Sequence, residues 1–118
     1  MKYLVLLIGE GELTPWNELS ETEQQAGMQK FHDFAAACRA RDGVQILAGE
    51  ALAGPSSATT LRTRGGQKLV TEGPYAEVIE GLGGFYLIEA PDASTVIELL
   101  DILPPYDIQI QPAGEEFE

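Results

Sequence analysis

Two short runs, Tyr3-Leu4-Val5-Leu6-Leu7-Ile8 and Phe85-Tyr86-Leu87-Ile88, carry large apolar or aromatic side chains at every consecutive position. A β-strand turns successive side chains to opposite faces, so a run without polar alternation has no face suited to water. Both runs are therefore expected to be central strands of a sheet that is covered on both sides.

The remaining elements must supply that cover. Ser20 and Glu23 form an S-x-x-E capping box, after which Met28, Phe31, Ala35 and Cys38 recur at helical spacing up to the stop at Asp42-Gly43. Asp92 can cap a second helix, in which Val96, Leu99, Leu100 and Leu103 share one face before Pro104-Pro105 ends it. Val44 to Gly49 reads as a strand, and Thr59 to Thr63 and Gln67 to Thr71 flank Gly65-Gly66, a two-glycine hairpin signal. Asp107 to Gln111 alternates apolar with polar as a half-exposed edge strand does. Gly9 to Asn17 has the composition of a surface loop, with a short helical turn capped by Thr14, and Gly114 to Glu118 that of an acidic tail.

The order β-α-β, hairpin, β-α-β predicts an α+β fold, a ferredoxin-like βαββαβ sandwich with an inserted β-hairpin. Its 118 residues suit one domain spanning 1–118. Two helices packed on one side cover only one face of the sheet, which leaves apolar side chains of the central strands on the other. Each such side chain left in water forgoes ~1.5–3 kcal/mol relative to burial. A second copy packing sheet against sheet resolves this, so a homodimer is expected.

Charge excludes several partners. With 19 acidic and 7 basic residues the formal net charge is −12, and Lys and Arg form no cluster. Nucleic acid and anionic lipid surfaces would be repelled, so neither is an expected partner. No apolar run approaches the ~20 residues of a membrane span, and the N-terminus has no signal-peptide pattern. Cys38, the single cysteine, can form no intrachain disulfide and lies on the helical stripe, so a cytoplasmic setting is the default.

Four segments carry a family likeness: Gly49-Glu50-Ala51-Leu52, Ala58 to Arg62, Leu69 to Glu77, and Leu82 to Glu89. In order and spacing they resemble the YCII-related family, in particular its DGPF-type subgroup, with Glu72-Gly73-Pro74-Tyr75 in place of Asp-Gly-Pro-Phe. The likeness extends over nearly the whole chain, including the opening strand. It implies a ferredoxin-like dimeric α/β barrel. It also implies an association with sigma factors, beside which DGPF-type members are often encoded, whereas certain YCII relatives look like dehalogenases or isomerases.

YCII proteins pair a histidine on the first helix, eleven residues before its terminal glycine, with an aspartate in an Asp-Pro-Tyr segment. His32 stands eleven residues before Gly43, but the matching segment here is Pro104-Pro105-Tyr106, without the carboxylate. Glu72 is a second candidate acid or base, set in a turn that Gly73 frees and Pro74 stiffens. Tyr75, Phe85, Tyr86 and Arg62 are the candidate ligand-binding residues. For Arg62 and Arg64 an ion pair with glutamates of a partner subunit is favoured over an anionic ligand. Glu72, Glu77 and Glu80 lack the spacing of a calcium loop, and no cysteine or histidine pairs are present, so no metal and no cofactor is expected. Gly81-Leu82-Gly83-Gly84 leads into a strand and is no phosphate loop. Lone Cys38 and lone His32 give no basis for covalent catalysis.

Two functions are therefore expected. The first is a noncatalytic, ligand-sensing dimer with a cleft bordered by His32, Glu72, Tyr75, Phe85 and Tyr86, with a regulatory role linked to sigma factors. The second is a small enzyme that moves a proton on a small apolar substrate, with His32 or Glu72 as base.

Overall fold

A computed structural model of the chain describes residues 1–9, 16–75 and 82–114. The main sheet has four antiparallel strands: β1 (Lys2–Ile8), β2 (Gln45–Ala51), β5 (Leu82–Glu89) and β6 (Asp107–Ala113), in the order β2-β5-β1-β6. The two unbroken apolar runs thus fall on the inner strands β1 and β5, as their composition requires. Two further strands, β3 (Thr59–Arg64) and β4 (Gln67–Glu72), pair with each other in a separate sheet. The turn joining them places Gly65 at φ 55° and Gly66 at φ 80°, a conformation that residues with a Cβ resist. With two helices beside this main sheet, the architecture is mixed α+β and ferredoxin-like.

The helix α1 (Glu21–Ala40) begins in the expected capping box. Ser20 Oγ accepts from the Glu23 amide at 3.1 Å, and Glu23 Oε1 accepts from the Ser20 amide at 2.8 Å. The shorter α2 (Ala93–Leu100) is capped by Asp92, whose Oδ1 accepts from both the amide (2.8 Å) and the hydroxyl (2.7 Å) of Thr95. α2 stops at Leu100, one turn before the prolines. Leu103 lies in the turn that follows and is still buried.

Both helices face the same side of the main sheet. Tyr3, Val5 and Leu7 of β1 and Ile88 of β5 join Phe34 and Cys38 of α1 and Val96, Leu99 and Leu100 of α2 in one core. The side chain of α1 that reaches deepest is Phe34, fully buried, while Met28 at the start of the stripe is 47% exposed. The apolar stripe thus runs Phe31, Phe34, Cys38, rotated from the expected line through Met28 and Ala35.

On the opposite face none of the described residues forms a helix. Pairing in register puts Leu4, Leu87 and Ala48 in one row, and Leu6, Phe85 and Glu50 in the next. On the β6 side these rows end at Gln111 and Gln109. Leu4, Leu6, Ile8, Phe85 and Leu87 are half-buried there. Ladder continuity is interrupted twice. β2 carries one extra residue between Ile46 and Ala48, and β5 shifts at Gly83, opposite the step from Leu7 to Ile8.

Glu77, Glu80 and most of the loop from Gly9 to Asn17 lie outside the described residues. Within that loop the described part forms a 3-10 turn at Trp16–Glu18.

Candidate functional site

A cleft of about 300 Å³ opens on the helix side of the sheet, between the middle of α1 and the end of the β2–β5 pair. Leu7, Met28, Phe31, Tyr86 and Tyr106 supply its side chains, and the backbone of Gly49, Gly83 and Gly84 completes its walls. Two broader concavities are shallower and more open. One, of about 390 Å³, lies along the outer side of α1 and holds Trp16, Met28 and His32; the other, of about 600 Å³, lies between α2 and β6. Of these three the cleft is the most enclosed, and it is built from several elements of the fold.

Its aromatic wall is held rigidly. Phe34 packs against Tyr86 with ring centroids 5.0 Å apart, and Phe31 meets Tyr106 edge-on at 6.2 Å. Across the ladder, Gly49 is the partner of Tyr86. A Cβ at Gly49 would stand 2.7 Å from Tyr86 Cδ1, so the ring can lie across β2 because that position has no side chain. At Gly84 a Cβ would come within 3.0 Å of the Glu50 carbonyl oxygen, which keeps this wall close-packed backbone.

Among the described residues that line the cleft, none turns a charged group into it. Glu50 shares its row with Phe85, on the opposite face, so it brings backbone rather than carboxylate to the lining. Burial pushes the Tyr86 phenol above its ordinary value, and the Cys38 thiol and the Tyr106 phenol nearby push it further the same way. Tyr86 therefore stays protonated across the physiological range and can donate a hydrogen bond. Burial likewise raises the Cys38 thiol, against a smaller opposing effect of Arg39.

Of the six residues expected from the sequence to form the site, Tyr86 lines this cleft. Phe85, its neighbour, points to the opposite face with Leu6. His32 is exposed and lies in the shallow groove on the outer side of α1. Glu72 ends β4 opposite Thr59 and is exposed. Arg62 and Tyr75 do meet, away from the cleft. The guanidinium sits 4.7 Å from the centre of the Tyr75 ring, donates to the Tyr75 carbonyl oxygen at 2.9 Å, and reaches Thr71 Oγ1 at 3.2 Å. These contacts brace the base of the β3–β4 hairpin, together with the Thr60 hydroxyl, which donates to the Gly73 carbonyl at 2.7 Å.

In the sequence Leu7 belongs to the first apolar run, Met28 and Phe31 to the helical stripe, and Tyr106 to the Pro104-Pro105-Tyr106 segment. Their convergence on Tyr86 depends on contacts between segments up to about a hundred positions apart, which no local spacing signals. Among the described residues no group of His, Cys, Asp and Glu side chains is arranged to hold a metal ion, and no helix is long and apolar enough to cross a membrane.

A four-stranded antiparallel sheet of order β2-β5-β1-β6 with two helices on one face and an apolar cleft at one end defines a small ferredoxin-like α+β protein. The chain matches the YCII-related domain over residues 1–110 and belongs to that family. Among curated proteins none matches it.

Proposed function

We propose that this chain is a ligand-binding member of the DGPF-type subgroup that holds a small, uncharged, apolar or aromatic molecule in the cleft beside Tyr86. The observation that carries the reading is the lining itself: three aromatic rings, a leucine and a methionine around about 300 Å³, with a protonated phenol as hydrogen-bond donor. A volume of that size suits a single-ring compound. A hydroxyl or carbonyl on the ligand would meet the Tyr86 hydroxyl, and the glycine backbone allows the ring to approach closely.

The same proposal includes a homodimer, with the single domain of each subunit packed through the outer face of its sheet. Support comes from Leu4, Leu6, Ile8, Phe85 and Leu87, which form a continuous apolar surface that no helix among the described residues covers. Polar residues, Gln109 and Gln111 on one side and Glu50 on the other, border that surface as the rim of an interface does. The β3–β4 hairpin is read as an insertion between the second and third strands of the ferredoxin-like core.

Ligand-observed NMR with a set of small phenols and lactones tests the binding reading. Wild-type protein is expected to bind a subset, and Tyr86→Phe to bind the same compounds roughly tenfold more weakly, the equivalent of one lost hydrogen bond. If no compound binds, or if Gly49→Val, which fills the cleft, binds as well as wild type, the cleft is not the site.

A further inference from the structure

The β3–β4 hairpin is built unlike the body of the protein. Neither of its strands pairs with the main sheet, and the molecule measures 50 × 44 × 18 Å with a radius of gyration of 16.4 Å. A compact domain of this length would have a radius near about 13.5 Å. The hairpin is therefore an arm, and an isolated two-stranded ribbon is only marginally stable in water.

This arm carries apolar side chains that are left exposed. Leu61 and Val70 are cross-strand partners on one face and are 57% and 66% exposed. Leu69 on the other face is also exposed. A solvated ribbon would be expected to present polar residues at such places.

Its charge is opposite to that of the rest of the chain. Between Thr59 and Glu72 stand Arg62, Arg64 and Lys68 with one acidic residue, Glu72, which makes the segment +2; the remaining 4 basic and 18 acidic residues make the rest −14. Among the described residues none of the three cations is paired with a carboxylate: Arg62 is held by Tyr75 and Thr71, Arg64 by the Thr63 carbonyl, and Lys68 by the Thr63 hydroxyl.

We infer that the arm grips a second copy of this chain, laying Leu61 and Val70 against the partner's surface while Lys68, on the same face of the ribbon, meets its acidic body. Charge complementarity selects the partner, since a strongly acidic protein with one cationic, apolar projection matches itself. Position agrees: the arm leaves the sheet at the end of β2 and returns at the start of β5, the two strands that border the open apolar face on that side. The inference rests on the homodimer proposed above and adds to it a clasp.

Sedimentation analysis of the full chain at low and high salt, with hydrogen exchange of the arm amides, tests it. Lys68→Glu, and separately Leu61→Ser with Val70→Ser, are expected to weaken self-association by roughly tenfold or more while leaving the thermal melt of the dilute protein unchanged. Protection of the arm amides in wild type is expected to rise with protein concentration, and the salt dependence of association to shrink in the charge-reversed variant. Leu87→Arg, on the outer sheet face, tests the homodimer itself. Arm variants that associate as tightly as wild type, beside a monomeric Leu87→Arg, overturn the clasp and leave the homodimer standing; a monomeric wild type overturns both. Arm amides whose protection does not change with concentration also overturn the clasp.

Discussion

The Tyr86 ring lies across Gly49, so near that a Cβ added to the glycine would fall 2.7 Å from Cδ1 of the ring. Because Phe34 backs the same ring at 5.0 Å, Tyr86 has little freedom to retreat. Gly49→Ala is therefore expected to destabilise the fold by about 1–3 kcal/mol, as overpacking does, and Tyr86→Leu in the same chain to recover part of that loss. Chemical denaturation of the two single variants and the double variant measures the coupling; strictly additive effects would contradict the contact.

Phe34 and Met28 occupy the same helix with opposite fates. Phe34→Ala removes a fully buried ring and is expected to cost about 3–5 kcal/mol, whereas Met28→Ala, at 47% exposure on the rim of the cleft, should cost less than about 1 kcal/mol. Urea midpoints distinguish the two, and a larger effect at Met28 would mean that α1 presents a different face to the sheet.

Asp92 links stability to acid. Its carboxylate accepts hydrogen bonds from the Thr95 hydroxyl and amide, which hold it below the usual carboxylate range. A carboxylate lowered in the folded state stabilises the fold above its unfolded pKa and loses that contribution as pH falls through the lower folded value. Melting temperature should thus fall as pH drops below about 4, and Asp92→Ala should melt lower at neutral pH with a flatter acid limb. An unchanged acid limb in the variant would assign the acid sensitivity to other carboxylates.

Cys38 offers a direct probe of opening. The thiol is buried and raised above its ordinary pKa, so iodoacetamide at mildly alkaline pH should leave the native protein unmodified for as long as it stays folded, then label it completely in denaturant. Mass spectrometry reads the fraction modified over time. Fast labelling of the native chain would place Cys38 outside the core.

How much of this could be read from the residues follows from where the information lies. Capping at Ser20 and Asp92 and the hairpin turn at Gly65-Gly66 are local chemistry, and each appears where the sequence puts it. The central position of Tyr3 to Ile8 and of Phe85 to Ile88 was legible because only inner strands tolerate such runs. The same uniformity hid which of Phe85 and Tyr86 faces the helices, since a run apolar on both sides carries no alternation; the pairing of Val5 with Tyr86 and of Leu6 with Phe85 decides it. The line through Phe31, Phe34 and Cys38 was present as an i, i+3, i+7 pattern, yet Met28 and Ala35 offered a rival stripe of similar spacing. His32 and Glu72 attracted interest as the residue types that do chemistry, while the cleft is made chiefly of residues that do packing.

The additional residue in β2 between Ile46 and Ala48 bears on how this chain should be aligned with its relatives. Paired in a regular ladder with Leu47 kept, Ala48 would fall opposite Tyr86 and Glu50 opposite Gly84, turning a methyl into the ring and a carboxylate toward the pocket wall. Pocket polarity in this protein is thus a matter of parity: the bulge absorbs Leu47 and keeps the Glu50 carboxylate off the pocket wall, whereas ironing the bulge out with every residue kept would invert the end of the strand and introduce a negative charge without substituting a single amino acid.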